Sequence, residues 1–156
     1  MKTFLSLILL SLLVSCGGKE EPNDLLLNVR GVINKTPAEV EAELGAPDST
    51  YILRVVNQEI FCQRYSEYNI EIQYPAGRST DVVIYGPHGL PFTQSALKAF
   101  GLDYSKQHPS QVEKDAVMRW YNFDEFLAIS FYNVRKDIDT GRINYTIYFK
   151  SKFEGV

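Results

Sequence analysis

Hydrophobic and polar positions along this chain fall into three regimes. The first is an apolar run from Phe4 to Val14, interrupted only by Ser6 and Ser11 and preceded by Lys2. At this length it cannot cross a bilayer, which takes about 20 apolar residues, and it reads as the central region of a secretory signal peptide spanning residues 1–15. The second regime is the polar tract Gly17-Gly18-Lys19-Glu20-Glu21-Pro22-Asn23-Asp24, whose composition predicts a flexible tether. From about residue 28 onward the pattern alternates, as it does in half-buried strands, with two helical interruptions.

The first interruption is Thr36-Pro37-Ala38-Glu39. Threonine at the N-cap, proline at the first helical position and glutamate at the third form a capping box. Leu44-Gly45-Ala46-Pro47 supplies the stop, so a helix is predicted from about Pro37 to Leu44 with Val40 and Leu44 on its buried stripe. The second interruption runs from Thr93 to Gly101, with Ala96, Leu97 and Phe100 apolar. Strands are predicted at Tyr51–Val56, Glu59–Tyr65, Tyr68–Tyr74 and Asp81–Tyr85. After the second helix they follow weakly near Tyr104–Val112, then at Ala116–Tyr121, Glu125–Tyr132 and Arg142–Lys150.

The two halves can be laid over one another. Tyr65 matches Tyr121, Ile70 matches Leu127, Ile72 matches Ile129, and Ile84-Tyr85 matches Ile147-Tyr148, with the drift in offset taken up by the loop Asn133–Gly141. This predicts an α+β fold: a tandem repeat of a short helix plus antiparallel strands, giving an about eight-stranded antiparallel sheet with helices packed on one face. Two unrelated amphipathic meanders would also agree in places. Residues 16–27 are assigned to the tether and 28–156 to a single domain, with repeats near 31–86 and 87–150.

Alternation separates the two sheet faces. Ile60, Cys62, Tyr68, Ile70, Ile72, Tyr74, Val82 and Ile84 are assigned to the core face, with Met118, Trp120, Leu127, Ile129, Phe131, Ile143, Tyr145, Ile147 and Phe149 from the second half. The opposite face receives the polar residues Gln63, Asn69, Glu71, Gln73, Ser130 and Thr146 together with Phe61, Tyr65, Arg119, Tyr121, Phe126, Tyr132 and Tyr148, the last seven being its aromatic and cationic members. Tyr, Trp and Arg dominate interface hot spots, so these seven are the candidate partner-binding residues. An apolar covering by other segments, among them Leu25-Leu26-Leu27, would make the same set core.

Composition narrows the function. Of 156 residues, 45% are apolar and 22% charged, which suits one globular domain. The net charge of −3 becomes −4 once a leader carrying only Lys2 is removed. With no Lys/Arg cluster, nucleic-acid binding is excluded. His88 and His108 fall in turn-like sequence away from Cys62, and no phosphate loop, nucleophile elbow or His-Glu-x-x-His motif is present. Asp124 and Glu125, being adjacent, do not converge as an acid/base pair. No enzyme activity, metal or cofactor is therefore expected.

Leu13-Val14-Ser15-Cys16 resembles the bacterial lipobox. The resemblance implies that Cys16 is acylated and becomes the mature N-terminus, anchored because two or three acyl chains hold firmly where one does not. Cys62 is then unpaired and read as buried. Lys19-Glu20-Glu21 resembles the export signal of Bacteroidota-type lipoproteins, implying an outer-membrane location on either the cell-surface or the periplasmic face. Gly31-Val32-Ile33-Asn34-Lys35-Thr36-Pro37-Ala38-Glu39-Val40, followed by Leu44-Gly45-Ala46-Pro47, resembles the start of the SmpA/OmlA outer-membrane lipoprotein module. The duplicated plan is similar to that of β-lactamase inhibitor protein. These resemblances imply helices on one side of an antiparallel sheet and a partner protein bound by the other side or its loops. The expected function is a membrane-tethered, non-enzymatic binding or assembly module for another protein or an envelope polymer. The alternative is an inhibitor or immunity protein acting on a secreted enzyme or toxin through loops such as Gly86–Pro91.

Overall fold

The computed structural model describes residues 25–87, 89–114, 116–136 and 143–152. The acylation candidate Cys16, His88 and part of the loop Asn133–Gly141 lie outside the described residues. Eight antiparallel strands form one sheet: β1 Ser49–Val55, β2 Gln58–Tyr65, β3 Ile70–Tyr74, β4 Asp81–Tyr85, β5 Gln111–Glu113, β6 Val117–Phe123, β7 Phe126–Lys136 and β8 Ile143–Ser151. Their spatial order is β1-β2-β3-β4-β8-β7-β6-β5. Two consecutive meanders thus meet at the sheet centre, where β4 pairs with β8 through Ile84 opposite Ile147 and Val83 opposite Tyr148.

Two α-helices, α1 Val29–Val32 and α2 Pro37–Leu44, and a 3₁₀ helix at Gln94–Phe100 pack on one face of this sheet. Helix α2 keeps the bounds its sequence dictates, because the capping box forms: Glu39 N–H donates to Thr36 Oγ1 at 3.4 Å, and Thr36 N–H donates to Glu39 Oε2 at 2.8 Å. The segment after Thr93 winds more tightly than an α-helix, and the Thr93 side chain meets the Ser95 hydroxyl at 2.7 Å rather than capping a backbone N–H of the first turn. It ends at Gly101, whose φ of +73° few other residues would adopt, with the Gly101 N–H donating to Lys98 O at 3.0 Å.

The core lies between these helices and the sheet. Val29, Val32, Val40, Leu97 and Phe100 meet Ile70, Ile72, Ile84, Trp120, Ile129, Phe131, Ile147 and Phe149. Phe100 and Phe126 both contact the Phe149 ring, and Trp120 packs edge-on to Phe131 at 5.3 Å between centroids. Near the first of the described residues, the Leu26 and Leu27 N–H groups both donate to Ala99 O, with Leu27 buried. This apolar segment therefore covers the helix side, and the other face of the sheet is left without a layer among the described residues.

Register corrects the faces assigned from alternation. Directly opposed residues on antiparallel strands share a face. Phe61 opposes Tyr74, Gln63 opposes Ile72 and Tyr65 opposes Ile70, so Phe61 and Tyr65 belong to the core face. Ile60 and Cys62 belong to the other one, where Cys62 is buried opposite Tyr51. The match of Tyr65 to Tyr121 consequently inverts the face, since Tyr65 is buried and Tyr121 exposed. Tyr68 is also corrected: it is exposed in the turn before β3 rather than in a strand.

Phe126 is corrected for a different reason. It is fully buried, because the register slips between Phe126 and Ala128, where Leu127 is the additional residue. A bulge of this kind turns the residue before it onto the face it would otherwise avoid. Phe126 thereby joins Ile129 in the core.

Candidate binding face

The helix-free face is built from the residues of each strand that point away from the core. Across the sheet, one row runs Arg64, Glu71, Val83, Tyr148, Ser130, Arg119, Gln111. A flanking row carries Tyr85, Thr146 and Tyr132, and on the other side lie Asp81, Lys150, Ala128 and Tyr121. Tyrosines thus surround two carboxylates near the middle of the sheet.

Both carboxylates are largely shielded, Glu71 being 4% and Asp81 6% exposed. A carboxylate removed from water needs donors around it, and the tyrosine hydroxyls supply them. Glu71 accepts from Tyr51, from Tyr85 at 3.3 Å and from Gln73 Nε2 at 2.7 Å. Asp81 accepts from Tyr148 and from Thr80 Oγ1 at 2.8 Å, with Lys150 Nζ at 3.5 Å. Ionisation of these phenols is disfavoured. Burial, reinforced by Glu71, pushes Tyr85 up to about 12, and burial followed by the Asp81 bond pushes Tyr148 higher still. Tyr132 is likewise raised, first by burial and then by the charge of Glu71.

Beside this network is an open trough of about 360 Å³, lined by Arg119, Tyr121, Ala128, Ser130, Tyr132 and Tyr148. Its shape follows from side-chain length: on β7 the small Ala128 and Ser130 form the floor, and longer neighbours on β6, β7 and β8 form the walls. Arg119 Nε donates to Ser130 Oγ at 3.0 Å and Arg119 Nη1 to Tyr121 Oη at 3.2 Å. The guanidinium also lies 5.9 Å from the Tyr121 ring centroid, within cation–π range.

Four of the seven residues expected from the sequence, Arg119, Tyr121, Tyr132 and Tyr148, are therefore brought together here. Phe61, Tyr65 and Phe126 are on the far side of the sheet. Alternation placed Glu71 on this face without a role, and it did not bring in Asp81, Tyr51 or Tyr85. The signal was present in Asp81, since aspartate is disfavoured in strands and one leading the run Val82-Val83-Ile84 requires a partner.

Among the described residues no group of three or more His, Cys, Asp or Glu is placed to hold a metal ion, and no helix is long and apolar enough to cross a membrane. The chain matches no family model, no curated protein and no solved structure.

Proposed function

We propose that this chain is a lipid-anchored envelope protein, held in the outer membrane through acylated Cys16, that acts as a non-enzymatic binding module. Its binding surface is the trough walled by Arg119, Tyr121, Tyr132 and Tyr148. The observation that carries this reading is the convergence of one arginine and three tyrosines around an open depression on the sheet face that no helix of the described residues covers. Every buried polar side-chain atom of the described residues already has a partner, so binding falls to the exposed edges and rings of this set rather than to an orphaned catalytic group. The scaffold is read as two copies of one four-stranded meander. The topology supports this, because β1-β2-β3-β4 and β5-β6-β7-β8 each run inward from opposite edges of the sheet to meet where β4 pairs with β8.

The test has two parts. Mass spectrometry of the mature protein should find acyl chains on Cys16. Photo-crosslinking from position 121 in intact cells should capture one dominant partner, and the double variant Tyr121→Ala, Tyr132→Ala should lose it while retaining its melting temperature. An unmodified thiol at Cys16 refutes the anchor, and capture unaffected by the double variant refutes the trough.

A further inference from the structure

The trough has a chemical bias that narrows its ligand, provided that the trough is the binding surface proposed above. Arg119 is half-buried, yet no carboxylate among the described residues forms an ion pair with it. Its hydrogen-bond partners there are neutral hydroxyls, Ser130 Oγ and Tyr121 Oη, which leave the Nη2 edge of the guanidinium fork unused. The neighbouring acids do not offset this charge: Asp81 is matched by Lys150 and Tyr148, and Glu71 is ringed by Tyr51, Tyr85 and Gln73. A partly desolvated guanidinium with a free edge selects an anion that can accept two parallel bonds, above all a carboxylate.

The backbone argues against a peptide as its bearer. The trough lies over β6, β7 and β8, each flanked by strands on both sides. Their N–H and C=O groups are committed to the sheet ladders or, at Tyr121, to Ser110 Oγ and Gln107 Nε2, so an extended peptide finds no edge to extend. What remains on offer is flat: tyrosine ring faces, phenol hydroxyls, the Ser130 hydroxyl and the guanidinium. Ring faces suit the C–H faces of a sugar, and the hydroxyls suit its hydroxyls.

We infer that the trough binds a carboxylate-bearing glycan, with Arg119 taking the carboxylate and the Tyr121 and Tyr132 rings supporting the sugar. Uronic acids and sialic acids share this chemistry. The experiment presents the whole mature protein with immobilised oligosaccharides of both kinds, with neutral oligosaccharides of matched length, and with polyglutamate. At least one acidic series should bind about ten-fold or more tightly than its neutral match, and binding should weaken as salt is raised. Which series binds identifies the source of the carboxylate. Arg119→Gln should remove the acidic preference, Arg119→Lys should restore part of it, and Tyr132→Ala should weaken acidic and neutral sugars alike, all with unchanged circular dichroism. Absence of binding to every acidic series, or equal binding of polyglutamate, overturns the inference. Capture of a protein at position 121 in cells, without glycan binding, would leave the binding-module reading standing and this inference refuted.

Discussion

The two faces of this sheet are both rich in aromatic rings but use them differently. On the helix side Trp120, Phe123, Phe126, Phe131 and Phe149 are buried against one another and against α1, α2 and the 3₁₀ helix. Tyrosines that join them there, Tyr74 and Tyr145, give their hydroxyls to neutral acceptors, Gln63 Oε1 and Pro91 O. On the open side the rings are nearly all tyrosine, and the hydroxyls of Tyr51, Tyr85 and Tyr148 go to Glu71 and Asp81. Ring content therefore does not distinguish core from surface here. The hydroxyl and its acceptor do, because a phenol on a carboxylate keeps one end polar while its ring shields the charge beneath it.

The sharpest way to break this contrast is Phe126→Ala. Removing a fully buried phenylalanine should cost about 3–5 kcal/mol, read as a lower denaturant midpoint at unchanged slope. A near-neutral result would return Phe126 to the open face. Next in size is Tyr148→Phe, which deletes one donor to a shielded carboxylate and should cost about 1.5–3 kcal/mol. Smallest is Tyr121→Ala, which should stay within about 0.5 kcal/mol because the residue is exposed and outside the core.

Alkaline pH sharpens the same comparison. Tyr85 ionises near 12 in the fold against an ordinary value of 10.0. Its raised value means the unfolded chain loses that proton first, so its contribution is full below pH 10.0 and is lost as pH rises through about 12. Tyr148 and Tyr74 shift in the same direction. Denaturant midpoints should fall steeply above about pH 10, and Phe substituted at 85 should flatten that fall.

Local signals were legible in the sequence and register was not. Helix α2 is written in contiguous residues, Thr36 through Glu39 and then Gly45, so its bounds needed no tertiary information. Strand β4 was likewise bounded by its turns. Strand β2 offers apolar residues at both parities, Ile60 and Cys62 against Phe61 and Tyr65. Both pairs are wholly or partly buried because the strand lies inside the sheet. What decides between them is the pairing with β3 across the turn 66–69, a relation that no residue of β2 carries alone. Phe126 escaped for a similar reason: a one-residue bulge is invisible to alternation until the partner strand is known. The trough itself was half legible. Its β6, β7 and β8 residues keep alternation, so Arg119, Tyr121, Tyr132 and Tyr148 could be assembled from sequence and Glu71 given the same face, whereas the bond of Asp81 to Tyr148 enters only through the seam between the meanders.

That seam sets the order in which the molecule can be completed. Strand β4 ends at Tyr85 and its lateral partner does not start until Ile143, so a growing chain holds an incomplete half-sheet with an unsatisfied inner border while all of the second meander is made. Closing it requires the most distant pairing in the sheet, the slowest kind of event in β topologies. Until then the border can recruit the wrong strand, which makes this protein one for which a holding chaperone would matter most between the synthesis of its two halves.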